Sequence, residues 1–442
     1  MMKHRTFCDG ISRRSFLRVG SAGFLGAHWS LAQMQQASAD APDEKDRRSM
    51  IIIFLQGGLS TIDTFDMKPN APAEIRGEFD PISTNIPGLV VCEHLPQVSQ
   101  QMDKFSLLRS MTNTSSDHQK ADHHLLTGYK PSAAFQGGLR PNNEYPSIGS
   151  IVSRKLGPRG SVPAYVALPE MHNAGGSAYL GPAAAPLSIN ADPNDPSFAV
   201  RDIVPPLDLD ARRLGNRSQL LASVDRYQRS TEVRANSSLQ AVNAFREQAF
   251  SLMTSPKAKK AFDIHAESAA VRDAYGRNTL GQSCLMARRL VESGVRCVLA
   301  THVDWDTHSG NFRILKDPLL PQLDRAMSTL YRDLDDRGLL ESTIVMVTGE
   351  FGRTPRINNE AGRDHWGPAF TVMLGGGGIQ GGRVIGSTDA HAVKPVDDPL
   401  RPEDLAATIH HQLGINPQDE FHTPEGRPIK IVNEGRVIQN LL

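Results

Sequence analysis

Three short stretches hold the residue types and spacings that could do chemistry. THVDWDTH, residues 301–308, follows the apolar run VRCVLAT, so its side chains fall in a loop at a strand's carboxyl end. Asp304, Asp306 and His308 lie within ligand reach of a common point, as do His302 and Asp304. Carboxylate plus imidazole is a donor set for zinc, manganese or a similar divalent ion. The same residues would also suit a solvated loop in which Asp304 or Asp306 caps a helix. GEFGRTPRINNEAGRDHWGPAF, residues 349–370, delivers Glu350 after the strand-like run TIVMVT, and Asp364 with His365 before the run FTVML. Arg353 and Arg356 flank them, and a guanidinium fork beside a metal suits a tetrahedral oxyanion. A surface loop laced by Glu–Arg pairs would read similarly, but His365 followed by Trp366, Gly367 and Pro368 at a strand entrance favours a site. SSDHQKADHHLLTGYKP, residues 115–131, carries His118, Asp122, His123 and His124. In a helix His118 and Asp122 share a face, as ligands or as a base with its orienter, while His124 reads as a polar residue on the wet side.

The elements that must position these groups alternate. MIIIFLQGG at 50–58 reads as the first core strand, followed by FSLLRSM (105–111), a helix over YPSIGSIVSRKLG and a strand at AYVAL. Long polar helical stretches such as RSQLLASVDRYQRS and SLQAVNAFREQAFSLM mark a helical insertion at about 205–275. Then follow a helix at 279–293, the strand VRCVLAT, a helix at 318–337, the strands TIVMVT and FTVML, and a helix over PEDLAATIHHQLG. Leu320, Leu323, Met327, Leu330 and Leu334 recur at steps of three and four, an amphipathic face for a sheet. Such alternation predicts a mostly parallel sheet covered on both sides.

Composition narrows the partners. Lys+Arg and Asp+Glu are equal at 48 each, so no broad field favours nucleic acid or an anionic membrane, and anion recognition must be local. Cys92, Cys284 and Cys297, with Cys8 near the start, form neither a disulfide framework nor a CxxC thiolate site. Residues 12–17, SRRSFL, place Arg13 and Arg14 before the weakly apolar VGSAGFLGAHWSLA and a Ser-x-Ala site at Ser30 to Ala32. This pattern reads as a twin-arginine export signal over 1–32, with a polar linker at 33–48 and the folded domain at 49–442. No other stretch has the roughly 20 apolar residues of a membrane helix, so the mature chain is expected to lack an integral segment and to be periplasmic or secreted.

The run MIIIFLQGG, HHLLTGYKP, Asp304-x-x-x-His308, IVMVTGEFG and DHWGPAFTVMLGGGGI resembles the alkaline phosphatase and sulfatase superfamily of two-metal hydrolases. QGGLSTIDTFDMKP, WDTH, GEFGRTP and GRDHW, behind the twin-arginine leader, look like the bacterial family called domain of unknown function 1501, from about residue 50 to the C-terminus. The resemblance implies an alkaline-phosphatase-like α/β fold, with Asp304 and His308 as a metal pair completed by His365. It sets Glu350 where the superfamily has an Asp and Phe351 where it has a His, which weakens a second metal site. Gln56 stands where a first-strand Asp is usual, with Asp63 or Asp66 as substitutes only if the loop folds back. His118 occupies the nucleophile's place, so it has become a ligand, a base or a nucleophile, or the covalent step is gone.

The expectation is therefore an exported hydrolase of sulfate or phosphate esters. Asp304, His308, His365, Glu350 and Asp364 would hold a divalent metal, zinc first, with manganese or calcium as alternatives. His118 would be base or ligand and Arg353 the oxyanion holder. The substrate would be a small-molecule or polysaccharide ester, and the twin-arginine machinery a transient partner. The alternative is a metal-stabilised binding or scaffold protein on the same fold.

Overall fold

The computed structural model describes residues 48–135, 143–200 and 252–442. The stretches read as leader, as linker up to residue 47, and as insertion over 205–251 lie outside the described residues. The insertion's remainder holds two helices, Pro256–Phe262 and Ala269–Tyr275.

Eight strands form one sheet: β1 (Ser49–Leu55), β2 (Phe105–Met111), β3 (Tyr165–Leu168), β4 (Leu187–Ser188), β5 (Cys297–His302), β6 (Thr343–Thr348), β7 (Phe370–Gly375) and β8 (Val384–Ile385), in the order β8-β2-β7-β6-β1-β5-β3-β4. Parallel pairings link β6, β1, β5, β3 and β4, while β7 alone runs against both its neighbours. The architecture is thus the mixed, mostly parallel sheet that the alternation implied.

β1 explains why the strand is apolar throughout. Ile51, Ile53 and Leu55 face one layer with α3 (Thr279–Ser293) and α4 (Leu320–Asp336). Met50, Ile52 and Phe54 face the other, with α1 (His118–Thr127), α2 (Ile148–Leu156) and α5 (Pro402–Gln412). A strand covered on both faces has no wet side to alternate with. The five apolar residues of the α4 stripe are all fully buried. Asp317, extended at φ −151° and ψ 110°, separates α4 from the short helix Asn311–Ile314.

The helix that matters most for the site is α1. The Asp117 side chain caps it by accepting from Lys120 N at 3.2 Å, and Gly128, left-handed at φ 71°, ends it with its N–H on His124 O. Its first residue is His118, so the cap sets that imidazole at the sheet's carboxyl edge. Among the described residues no helix is long and apolar enough to cross a membrane.

Candidate metal centre

Five sheet connections converge on one edge. β1 runs into Gly57 and Gly58, β2 into the segment that leads to His118, β5 into Asp304–His308 and β6 into Glu350; β7, running the other way, is entered from His365. Gly57 and Gly58 have φ of 114° and 90°, and a Cβ on Gly57 would lie 2.5 Å from Asp306 N. Glycine is required there because the backbone forms the floor of the site. A two-stranded ribbon pairs Gly352–Arg353 with His365–Trp366 and carries His365 over that floor.

The centre is built around Asp306. Its Oδ1 lies 3.1 Å from His308 Nε2 and 3.1 Å from His365 Nε2, and its Oδ2 lies 3.3 Å from His118 Nε2. The two nitrogens of His308 and His365 are 2.8 Å apart. His118, Asp306 and His365 each offer a ligand atom within 4.8 Å of the others.

What the rings touch on their far sides fixes their protons. His118 Nδ1 meets Glu350 Oε1 at 2.6 Å, His308 Nδ1 meets Asp364 Oδ1 at 2.7 Å, and His365 Nδ1 meets the Ser116 carbonyl at 2.9 Å. Each outer partner is an acceptor, so each ring donates its Nδ1–H outward. In the neutral rings all three Nε2 lone pairs then turn inward, towards one another and the Asp306 carboxylate. Acceptors gathered this closely repel one another unless a proton or a metal cation lies between them. Donors bound to zinc at about 2.0–2.1 Å in a tetrahedron lie roughly 3.3 Å apart, close to the spacings found. The donor set therefore fits a divalent cation.

The electrostatics favour an ionised Asp306 and a neutral His365, and favour a proton on His118. Burial opposes the Asp306 anion, but Arg353, His365 and His118 outweigh it and hold its pKa down at about 2. Burial, followed by the proximity of His118, lowers the pKa of His365 and favours the neutral, ligating ring. Burial also opposes charge on His118, yet Glu350 and Asp306 raise its pKa above the ordinary value. Phe351, almost fully buried, walls the site with ring centroids 5.0 Å from His118 and 4.6 Å from His365.

Several sequence expectations change. Asp304 is exposed, left-handed at φ 75°, and stands outside the group; Asp306 takes its place. The reason is local geometry. Residues 303–308 form no helix, Asp304 takes a left-handed turn, and Arg353 holds Asp306 Oδ1 at 2.6 Å, with Trp305 and Thr307 buried on either side of Asp306. Glu350 is fully buried and stands behind His118, accepting Gly57 N–H at 3.0 and 3.2 Å. Asp364 likewise stands behind His308. Both meet the outer nitrogen of a histidine and do not face Asp306. Arg353 is engaged by the protein. Its donors go to the carbonyls of Gly57, Gly58, Trp305 and Arg363 and to Asp306 Oδ1 at 2.6 Å, which makes it the anchor of Asp306.

The remaining candidates are placed elsewhere. Asp63 is paired with Arg363, and Asp66 with Lys68 and Thr388, so neither replaces the carboxylate missing at Gln56. His302 accepts from Trp305 Nε1 at 3.0 Å and lies outside the group. Asp122 is buried beside His172, with 3.5 Å between Oδ2 and Nε2, and does not orient His118. His124 is not on a wet face: it is buried between Asn113 and Glu403. Sequence reasoning missed Asp306 as the central carboxylate, because Asp304 and Asp306 are the same residue type two apart in one irregular loop.

A search of curated proteins returned no match to this sequence. Among solved structures the chain is similar to the PsFucS1 sulfatase from Pseudoalteromonas sp. (12% identity, 88% of this chain and 72% of that one, TM-score 0.35). It is also similar to the phosphonate monoester hydrolase SpPMH from Silicibacter pomeroyi (11%, 89% and 76%, TM-score 0.35). A third likeness is to the lipoteichoic acid synthase LtaP from Listeria monocytogenes (10%, 86% and 76%, TM-score 0.34). These likenesses are too distant to assign an activity. The model of the family described as "Protein of unknown function (DUF1501)" matches residues 47–442, and the chain belongs to that family.

Proposed function

We propose that this protein is an exported hydrolase of sulfate or phosphate esters that works with a divalent cation, zinc by preference, held by Asp306, His308 and His365. The observation that carries the reading is the inward convergence of imidazole Nε2 atoms on Asp306, each ring turned by an acceptor behind it. When bound, such a cation supplies Lewis acidity towards an ester oxygen or a water. His118 has the geometry of a general base: Nε2 faces the centre, and Nδ1–H rests on buried Glu350, which stabilises the ring once it has taken a proton. The Ser115 and Ser116 hydroxyl oxygens accept the N–H groups of Asp117 and Gly367, at 3.1 and 2.9 Å. That engagement supports direct attack by water over a covalent intermediate on either serine.

One observation favours a second reading, a cation-stabilised scaffold. Arg353, bonded to Asp306 Oδ1, is buried and already donates to the carbonyls of Gly58, Trp305 and Arg363, which favours an anchoring over an anion-clamping role. The two readings part on one experiment. Protein purified after export is assayed for metal per chain and for turnover of 4-nitrophenyl sulfate and 4-nitrophenyl phosphate. Metal with turnover that His118→Ala lowers by roughly 100- to 10,000-fold supports the hydrolase. Metal without turnover of any ester supports the scaffold, and no metal sinks both.

Export by the twin-arginine route is part of the proposal and rests on Arg13 and Arg14 ahead of the apolar run. Replacing both by Lys should retain the protein in the cytoplasm. Normal delivery of that variant would show another route.

A further inference from the structure

Asn113 is buried, 5% exposed, between the end of β2 and the start of α1, and its side chain is fully committed. The Ser115 N–H, at 3.2 Å, needs an acceptor and identifies one end as Oδ1. The carbonyls of Ala121 and Glu350, at 3.2 and 3.1 Å, need donors and identify the other end as Nδ2. The amide orientation is thereby settled by backbone partners alone. His124 Nδ1, 3.0 Å from the same Oδ1, must then donate. Its other nitrogen, Nε2, faces Glu403 Oε2 at 3.2 Å, with His124 1% and Glu403 6% exposed. The Asn113 backbone also takes part, donating its N–H to Gly367 O at 2.8 Å, two residues beyond His365.

We infer that Asn113 is a positioning residue for the His118–Glu350 pair, backed by buried His124, which packs between it and Glu403 on α5. It fixes the Glu350 backbone through Nδ2 and the segment leading into His118 through Oδ1. The 2.6 Å contact between His118 Nδ1 and Glu350 Oε1 is set by where those two backbones are held. Without Asn113 the Glu350 carbonyl loses a donor, Ser115 N–H loses its acceptor, and the two segments are free to part. The kinetic consequence rests on the hydrolase reading; the geometric one does not.

The test uses the whole exported chain and two variants. Asn113→Asp keeps the shape and the acceptor side but removes both donations from Nδ2, and Asn113→Ala removes all four side-chain contacts. A hydrogen bond as short as that of His118 to Glu350 gives a low-field ring N–H proton signal, assigned by its loss in His118→Gln. The expected result is that this signal is present in the parent and shifted or lost in Asn113→Asp and Asn113→Ala. An unchanged signal in a folded Asn113 variant overturns the inference, as does a parent without a His118-dependent signal. If Asn113→Ala does not fold, the near-isosteric Asn113→Asp decides. In the kinetic arm, kcat on 4-nitrophenyl phosphate or sulfate should fall about 10- to 100-fold with KM within about twofold, the pattern of a lost positioning contact. Loss of melting temperature with unchanged kcat per folded chain would assign Asn113 a structural role only. A parent with the signal but no turnover counts against the hydrolase reading, and the spectra alone then judge the positioning role.

Discussion

Arg363→Leu should cost far more than a loop substitution normally does, and the structure sets the size of the loss. Arg363 and Asp63 are 0% and 1% exposed, joined by two parallel bonds, Nε to Oδ2 at 2.8 Å and Nη2 to Oδ1 at 2.7 Å. The guanidinium also donates to the carbonyls of Ile75, Thr354 and Pro355 and lies over the Phe312 ring at 5.6 Å. Removing it strands a buried carboxylate that keeps only Ser60 Oγ at 2.6 Å and Asn311 Nδ2 at 2.9 Å as donors. Breaking a buried pair from one side costs about 3–5 kcal/mol, a third or more of the whole stability of many domains. The loss should reach the site. Arg363 N–H donates to Thr307 O at 3.1 Å and Arg363 O accepts from Arg353, so the same residue ties the His308 loop to the ribbon that carries His365. Cation affinity should fall about 10- to 100-fold with stability. The assay is urea unfolding of Arg363→Leu, Asp63→Asn and the double variant, with metal content measured on each. The double variant should lose less than the sum of the singles, since it leaves no unpaired charge. A midpoint shift for Arg363→Leu worth under about 1 kcal/mol at unchanged m would refute the reasoning.

Asp306→Ala should abolish metal binding while Asp304→Ala leaves the metal content unchanged, read by elemental analysis; the reverse result would restore the i, i+4 pair. Gly57→Ala should lose metal too, because its Cβ would sit 2.5 Å from Asp306 N on a backbone at φ 114°, and full metal content in that variant would count against the floor. His410 tests the fold apart from the site: it is fully buried, neither ring nitrogen has a hydrogen-bond partner among the described residues, and burial lowers its pKa to about 3. A folded pKa below the unfolded value of about 6.5 means the unfolded chain takes up the proton first. This contribution is present above about pH 6.5 and is lost as pH falls towards the folded value, by roughly 2 kcal/mol at pH 5. His410→Leu should flatten that acid limb of the stability profile, and an unaltered limb would show that other groups set it.

How much of this was legible in the sequence differs between the fold and the site. β1, β2, β6, α3 and α5 follow the apolar runs and periodicities almost residue for residue, because burial on one or two faces writes a pattern of period two, period 3.6 or none into the chain. The charged loop between β6 and β7 likewise announced a ligand edge. The roles within that edge were less legible. Glu350, Arg353 and Asp364 were recognised as site residues but misassigned, since a carboxylate that binds a cation and one that orients a histidine look the same in a string of letters.

The sequence by itself determined that a mostly parallel sheet would form and that Glu350, His308 and His365 would gather at its carboxyl edge, because strand ends place the residues that follow them. Only the tertiary structure decided that Asp306 is the carboxylate they share. That choice depends on the irregular path from His302 to His308 and on the packing of Trp305. It depends as well on a buried guanidinium, Arg353, that fixes Asp306 from a strand-end loop 47 residues further on. Periodicity records which face a residue presents, but not which of two nearby carboxylates a distant side chain will hold.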